Sequence, residues 1–427
     1  MVRFYFISIL IFINFISCDS LDEVYPSQLE LPIINLTIDE YYLFSPDSGL
    51  FVIGDNGITN WTGFTANYFT KWEHPAKVSF HFGNDFVSND PIGFRVKANS
   101  GRLRPNKTLG LYWREEYGNK RLEEMYSIFP GNRIGRYKRL KLDAGFEISH
   151  NIIVESIVKD MVDIEVASMR PVNLYINEDY WGLYNLRETI SPHHFEYHYG
   201  VSDDSVNILQ RSPASPGVDD GTRENWIKDV YSLSKRLDFR KDESLQTIGN
   251  YLDLSSTIDY FAVQTYIYNW DWPLNNMKWW NDPSSEHHKK WRFIFSDIDK
   301  SFNLEYTQHL WLGNFYVHNK PPRVDYEPGF VIFDKLMENK SFRILFFKRY
   351  LEIIDEIFAQ ERVERIVNNQ ISQLKNDYKF HYKKWGEVNP IKWELKLREI
   401  ATFNKERQEW LRPKIQNWYD IELNTNE

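Results

Sequence analysis

Apolar residues first mass at the start of the chain. Phe4 to Ile13 is interrupted only by Ser8. That run is too short to span a bilayer and has the length of a signal-peptide core. From about residue 33 to 190 the pattern turns to alternation. Val78-Ser-Phe-His-Phe82, Gly93-Phe-Arg-Val-Lys97 and Val172-Asn-Leu-Tyr-Ile176 predict strands. Asn56-Gly57 and Gly83-Asn84 are turn signals among them. One helical stripe interrupts this part: Ile152 to Val166, with Ile153, Ile157 and Met161 on one face.

A Pro/Gly/Asp-rich loop at 212–222 predicts a boundary between about 190 and 225. Beyond it the apolar period becomes helical, over Trp226 to Leu237, Leu254 to Tyr268 and Phe333 to Phe358. Arg362 to Trp385 holds neither Pro nor Gly and predicts a further helix, ended by Gly386 and Pro390. A last helix is predicted from Pro390 to Trp410, with Pro413 just past its end. A hairpin interrupts this half, from Lys278-Trp-Trp280 through Asn281-Asp-Pro283 to Trp291-Arg-Phe-Ile-Phe295.

The chain has 427 residues, 42% of them hydrophobic and 26% charged, which excludes a disordered or fibrous protein. Its formal charge of −9 is the wrong sign for a phosphate-backbone binder, so no nucleic-acid partner is expected. Aromatic residues make up 16%, which suits a buried aromatic core or a sugar-stacking surface. The single cysteine, Cys18, follows Phe15-Ile16-Ser17, the pattern of a lipoprotein cleavage site. Residues 1–18 are therefore expected to be a lipoprotein signal peptide, and 19–32 a tether. Acidic residues just after Cys18 resemble a surface-export tag. The expectation is a lipoprotein of the cell envelope, held at the outer membrane or cell surface by a lipid on Cys18.

Three stretches carry candidate chemistry. Asp271 and Asn276 stand five apart in Asn269-Trp-Asp-Trp-Pro-Leu-Asn-Asn276. Protein kinases use that interval for an Asp that orients the acceptor and an Asn that binds Mg²⁺. Asp297 and Asp299 follow the Trp291–Phe295 strand, where two carboxylates suit a hard cation. The third stretch is the loop after Gly93, whose Arg102, Arg104 and Lys107 suit phosphates. Taken singly, each reads first as a capped turn, an acidic turn or a solvated hairpin. His193, His194 and His198 include an i, i+4 pair, but no third metal ligand stands at a sensible spacing, so a surface helix is expected. The basic strand region holding Arg133, Arg136, Lys138, Arg139 and Lys141 reads as a solvated face that could steer an acidic substrate.

Together these pieces resemble the spore-coat protein H (CotH) kinase family over roughly residues 45–415. The anchors are Arg104-Pro-Asn-Lys-Thr-Leu109, Tyr137-Lys-Arg-Leu-Lys-Leu142, Tyr180-Trp-Gly-Leu-Tyr-Asn-Leu-Arg-Glu188, Asn269–Asn276 and Asp297-Ile-Asp299. The resemblance implies an α+β, atypical protein-kinase-like two-lobe fold. Its strand-rich N-terminal lobe would cover 33–200 and its helical C-terminal lobe 201–420. It implies ATP- and Mg²⁺-dependent phosphoryl transfer to Ser or Thr of an envelope or secreted protein. On that basis Asp271 is the catalytic Asp, and Asn276 and Asp297 are metal ligands with Asp299 in support. Lys107 and Arg102 bind the nucleotide phosphates, and Glu188 belongs to the nucleotide site. Glu155 is expected to pair with Lys107 as kinases pair a Lys with a Glu. Two stretches depart from the family's pattern: Asp143-Ala-Gly-Phe-Glu-Ile148, and Ala98-Asn99 in the phosphate loop. The alternative is a catalytically inactive surface lipoprotein that binds glycan or protein.

Overall fold

The computed structural model describes residues 24–425 apart from 61–62, 99, 124, 146, 212–215, 274–275, 313–315 and 319–329. The signal peptide, Cys18 and the first five residues of the expected tether lie outside the described residues. The remainder of the tether is anchored. Glu30 N and Leu31 N donate to the carboxylate of Asp377 at 3.0 and 2.8 Å.

The alternating segments form a closed seven-stranded barrel. Around the ring run Ile33–Thr37, His74–Phe82, Asp85–Val96, Leu109–Tyr112, Arg139–Asp143, Asp179–Glu188 and Met169–Ile176. The last strand pairs in parallel with the first, Ile34 opposite Leu174, and closes the ring. Ile34, Val78, Phe94, Leu111, Leu142, Leu174 and Leu186 are buried from water, as one face of each alternating strand requires.

The predicted hairpin forms the centre of a second sheet. Its strand order is Gly217–Asp220, Asn207–Gln210, Lys278–Asn281, Arg292–Phe295, Glu165–Val166. The last of these comes from the first half of the chain and pairs in parallel, Phe295 opposite Val166. This sheet therefore crosses the expected boundary at residue 200. The same strand corrects the predicted 152–166 helix, which runs over Glu147–Val158 and stops. Asp160 then takes a positive φ of 61° and turns the chain toward the sheet.

The second core is helical. Leu254–Ile267 is capped by the Asp253 side chain, which accepts from Ser256 N at 3.0 Å. It runs through the core with every residue from Ser256 to Ile267 buried. Asn339 divides the expected 333–358 helix by capping the start of Lys340–Glu352. Gln360–Trp385 ends at Gly386 in the left-handed conformation. The last helix, Pro390–Asn424, does not stop before Pro413 but continues through it. Buried Leu411 and Ile415 hold that turn to the core, and an Arg343–Glu422 ion pair at 2.7 Å pins the tail. These contacts offset the hydrogen bond that proline cannot make. The expected surface helix around His193 also differs, because Pro192–Tyr199 buries Pro192, His194 and Phe195.

Candidate functional site

The Leu254–Ile267 helix ends in a sharp turn at Tyr268, with φ 45°, which sends the chain into the 269–276 loop. The turn is held from outside. Arg407, fully buried on the last helix, donates to Thr265 O at 2.7 Å, Tyr266 O at 3.1 Å and Thr307 O at 2.9 Å. A guanidinium at the last carbonyls of a helix satisfies them and favours the negative end of its dipole.

The loop is then stitched to the segment following Arg292–Phe295. The side-chain amides of Asn269 and Asn276 both donate to the Asp297 carbonyl, at 3.2 and 3.1 Å. Trp270 N donates to Lys300 O at 3.3 Å, and Phe302 N to Ile267 O at 2.9 Å. Asp297 has φ 57°, a left-handed conformation unusual outside glycine, which such surrounding bonds can hold in place.

This stitching brings Asp271, Asn276, Asp297 and Asp299 to one place. The Asn276 amide lies 3.5 Å from Asp271 Oδ2 as well as bonding the Asp297 carbonyl. Burial pushes the Asp297 carboxyl up to about 6, and the neighbouring charges of Asp299 and Asp271 add to it. Lys141 and Arg187 pull the other way. These two cations are cross-strand neighbours on the barrel wall. Lys141 Nζ is 2.9 Å from Asp143, and Arg187 is ion-paired with Glu155 on the 147–158 helix. Burial pushes the Glu155 carboxyl up to about 7 against the pull of Arg187. The site is therefore a knot of three carboxylates faced by two barrel cations.

The donor set suits a hard cation. Its protein groups are carboxylate and amide oxygens, the ligands that Mg²⁺ takes. Asn269 Oδ1, Ser296 Oγ and Glu155 Oε2 are buried with no hydrogen-bond partner, leaving spare acceptor capacity around the knot. Asp297, Asp299 and Asn276 would hold the ion, and the basic pair offers positive charge for phosphate oxygens.

Other expected residues lie elsewhere. Lys107 does not pair with Glu155. Its ammonium donates to Arg102 O at 2.7 Å and Arg104 O at 3.0 Å, and stands 3.9 Å from the centre of the Tyr68 ring. Burial, then the charge of Arg102, lowers its pKa to about 8. Arg102 bonds the carbonyls of Ala98, Tyr68 and Thr70. Lys107 therefore braces the loop's own backbone, and Arg102 ties that loop to the Tyr68–Thr70 segment. Glu188 meets His194 and His198 instead of the Asp297 knot. Of the residues that do face Asp297, Arg187 was present in the quoted anchors without an assigned role, and Lys141 was read only as part of a solvated basic face. Alternation offered the signal for Arg187. It is one place before Glu188, so the two side chains leave the strand on opposite faces.

The sequence matches the family model described as CotH kinase protein over residues 95–411. It is 21% identical over 211 residues to Spore coat protein homolog 1 of Rhizopus delemar. That alignment takes in 44% of this chain, and the chain spans about a third of that relative's length (33%). A solved structure, that of a Helicobacter pylori proinflammatory kinase CtkA, aligns with 74% of this chain and 95% of its own, at 10% identity and a TM-score of 0.32.

Proposed function

Because the chain belongs to the CotH kinase protein family, we propose that it is a kinase-like, two-lobed phosphotransferase using ATP and Mg²⁺. The observation that carries this reading is the convergence of Asp271, Asn276, Asp297 and Asp299 opposite Lys141 and Arg187. The barrel is the strand-rich lobe, and the helices with the second sheet form the other.

Asp271 orients an acceptor hydroxyl and takes its proton as the γ-phosphoryl group passes from ATP to that oxygen and ADP leaves. Asp297, Asn276 and Asp299 hold Mg²⁺, which neutralises charge on the phosphates when bound. Lys141 and Arg187 supply fixed positive charge to phosphate oxygens. Asp143 and Glu155 keep those two cations in place. Arg407 is a positioning residue, since it reaches the loop only through the helix end. The acceptor is Ser or Thr of an envelope or secreted protein. The chain reaches it from a lipid anchor on Cys18, a reading supported by the apolar run before that cysteine. Among the described residues no helix is long and apolar enough to cross a membrane.

The test is transfer from γ-labelled ATP to an envelope-protein fraction, with Mg²⁺ present or chelated. Asp271→Ala is expected to lower transfer by about 10²–10⁴-fold, the usual worth of a positioned acid or base. Unchanged transfer in that variant, or transfer that survives chelation, refutes the assignment.

A further inference from the structure

A second cluster of chelating groups lies where the barrel strand Asp179–Glu188 runs into the helix Pro192–Tyr199. His194 and His198 are one turn apart on that helix and present their rings side by side, centroids 4.2 Å apart. Glu188, at the strand's last position, faces both. Its Oε1 is 3.0 Å from His198 Nε2, and its Oε2 is 3.9 Å from His194 Nδ1. The three ligand atoms all lie within 4.8 Å of one another. Ligands at zinc-type distances on a tetrahedron are separated by about 3.3 Å, so small side-chain adjustments close this set on one ion.

The surroundings are those of a metal site. The other nitrogen of His194 bonds Glu165 at 2.7 Å, and the second oxygen of Glu165 accepts from Tyr199. A carboxylate behind a ligating histidine fixes its tautomer and raises its basicity. Glu188 is oriented in turn by Ser168 N at 2.9 Å and the Asn132 amide at 3.2 Å. With neutral imidazoles the buried pair Glu165 and Glu188 carries two negative charges, which a divalent cation balances. Lys159, bonded to Ser168, adds a single positive charge beside His194.

We propose that Glu188, His194 and His198 bind one divalent transition-metal ion of the zinc class. Two imidazoles with one carboxylate suit Zn²⁺ and disfavour Mg²⁺, which prefers an octahedron of oxygens. Three protein ligands leave a fourth position open. These three residues line a small open cleft together with Arg136, Lys138 and Arg139. A water completes the set there. The site is separate from the Asp297 knot and does not depend on phosphoryl transfer.

The experiment uses the full-length protein, stripped with chelator and titrated with Co²⁺, then with Zn²⁺ in competition. One equivalent of Co²⁺ with four-coordinate visible bands, displaced by Zn²⁺, is expected. His198→Ala and Glu188→Gln should abolish the bands. Glu165→Gln should weaken binding by about 10–100-fold, as loss of an orienting carboxylate does. His193→Ala removes the neighbouring His193, Glu196 and Asp203 group and should change nothing. Asp297→Ala should also bind normally. If His198→Ala does not fold, His198→Gln at this part-exposed position takes its place. No bands in the unaltered protein, bands that persist in the His198 and Glu188 variants, or bands lost in His193→Ala would each overturn the proposal.

Discussion

The protein holds two carboxylate clusters at strand ends, and they are balanced in opposite ways. At the Asp297 knot three carboxylates face one another; Lys300 pairs with Asp299, while Lys141 and Arg187 pair with Asp143 and Glu155. Burial and like charge therefore push Asp297 up to about 6. At the Glu188 cluster burial also works against the charged form. There the hydrogen bond from His198 and the charges of both histidines overcome it and bring the carboxyl down to about 2. The lesson is that burial alone does not fix the protonation of an acid; the partner does. A surplus of oxygen donors invites a hard ion and its phosphates. A set already matched with imidazole invites a softer one.

The comparison breaks most visibly if the clusters are not independent. Asp297→Ala should abolish the Mg²⁺-dependent response to ATP and leave zinc-class binding intact, while His198→Ala should do the reverse. Each loss should be complete, so this is the largest effect. Loss of both responses in either variant would mean that the two clusters are one site.

Next comes Glu155→Ala. It strands Arg187 as a buried charge, and breaking one side of such a pair costs about 3–5 kcal/mol. Denaturant unfolding measures this. A cost below about 1 kcal/mol would show that the pair is not closed in the folded protein. A smaller loss is expected from Lys107→Met, which leaves the carbonyls of Arg102 and Arg104 without their donor, at about 1–3 kcal/mol. The same variant should keep its Mg²⁺–ATP response. Loss of that response at unchanged stability would return Lys107 to the nucleotide.

That prediction marks the edge of what the sequence made legible. Alternation revealed three of the barrel strands, and the runs on either side of the Asn281-Asp-Pro283 turn revealed the 278–295 hairpin. The spacing of Asp271, Asn276 and Asp297 pointed to residues that the fold brings together. Partner choice was not legible, because Glu155 meets Arg187 through barrel curvature and not through any local spacing. The third and fourth members of the histidine cluster were missed for a related reason. Glu188 is on the preceding strand, and Glu165 arrives from a strand more than twenty residues earlier. The last helix passed Pro413 because packing beyond it outweighed the local signal to stop.

The smallest effects are in the pH profile of the metal-free protein. Asp297 binds more protons folded than unfolded between about 4 and 6, so stability falls as the pH rises across that window. Glu188 binds fewer protons folded than unfolded between about 2 and 4.5. Its contribution is present above that range and is lost as the pH falls through it. Glu155, pushed up to about 7, adds a fall of the same sign, so Asp297→Asn should lessen the first leg without removing it, and Glu188→Gln should lessen the second, read by denaturant midpoints at each pH. A leg undiminished in its own variant would assign it to another group.

The most direct test of the central claim is thermal stability of the full-length protein with ATP alone, Mg²⁺ alone and both, beside Asp297→Ala. A ligand that binds only the folded state at a hundred times its Kd adds about 2.7 kcal/mol. The account predicts an upward shift that needs ATP and Mg²⁺ together and disappears in the variant. No shift at millimolar nucleotide, or an equal shift in Asp297→Ala, would contradict it.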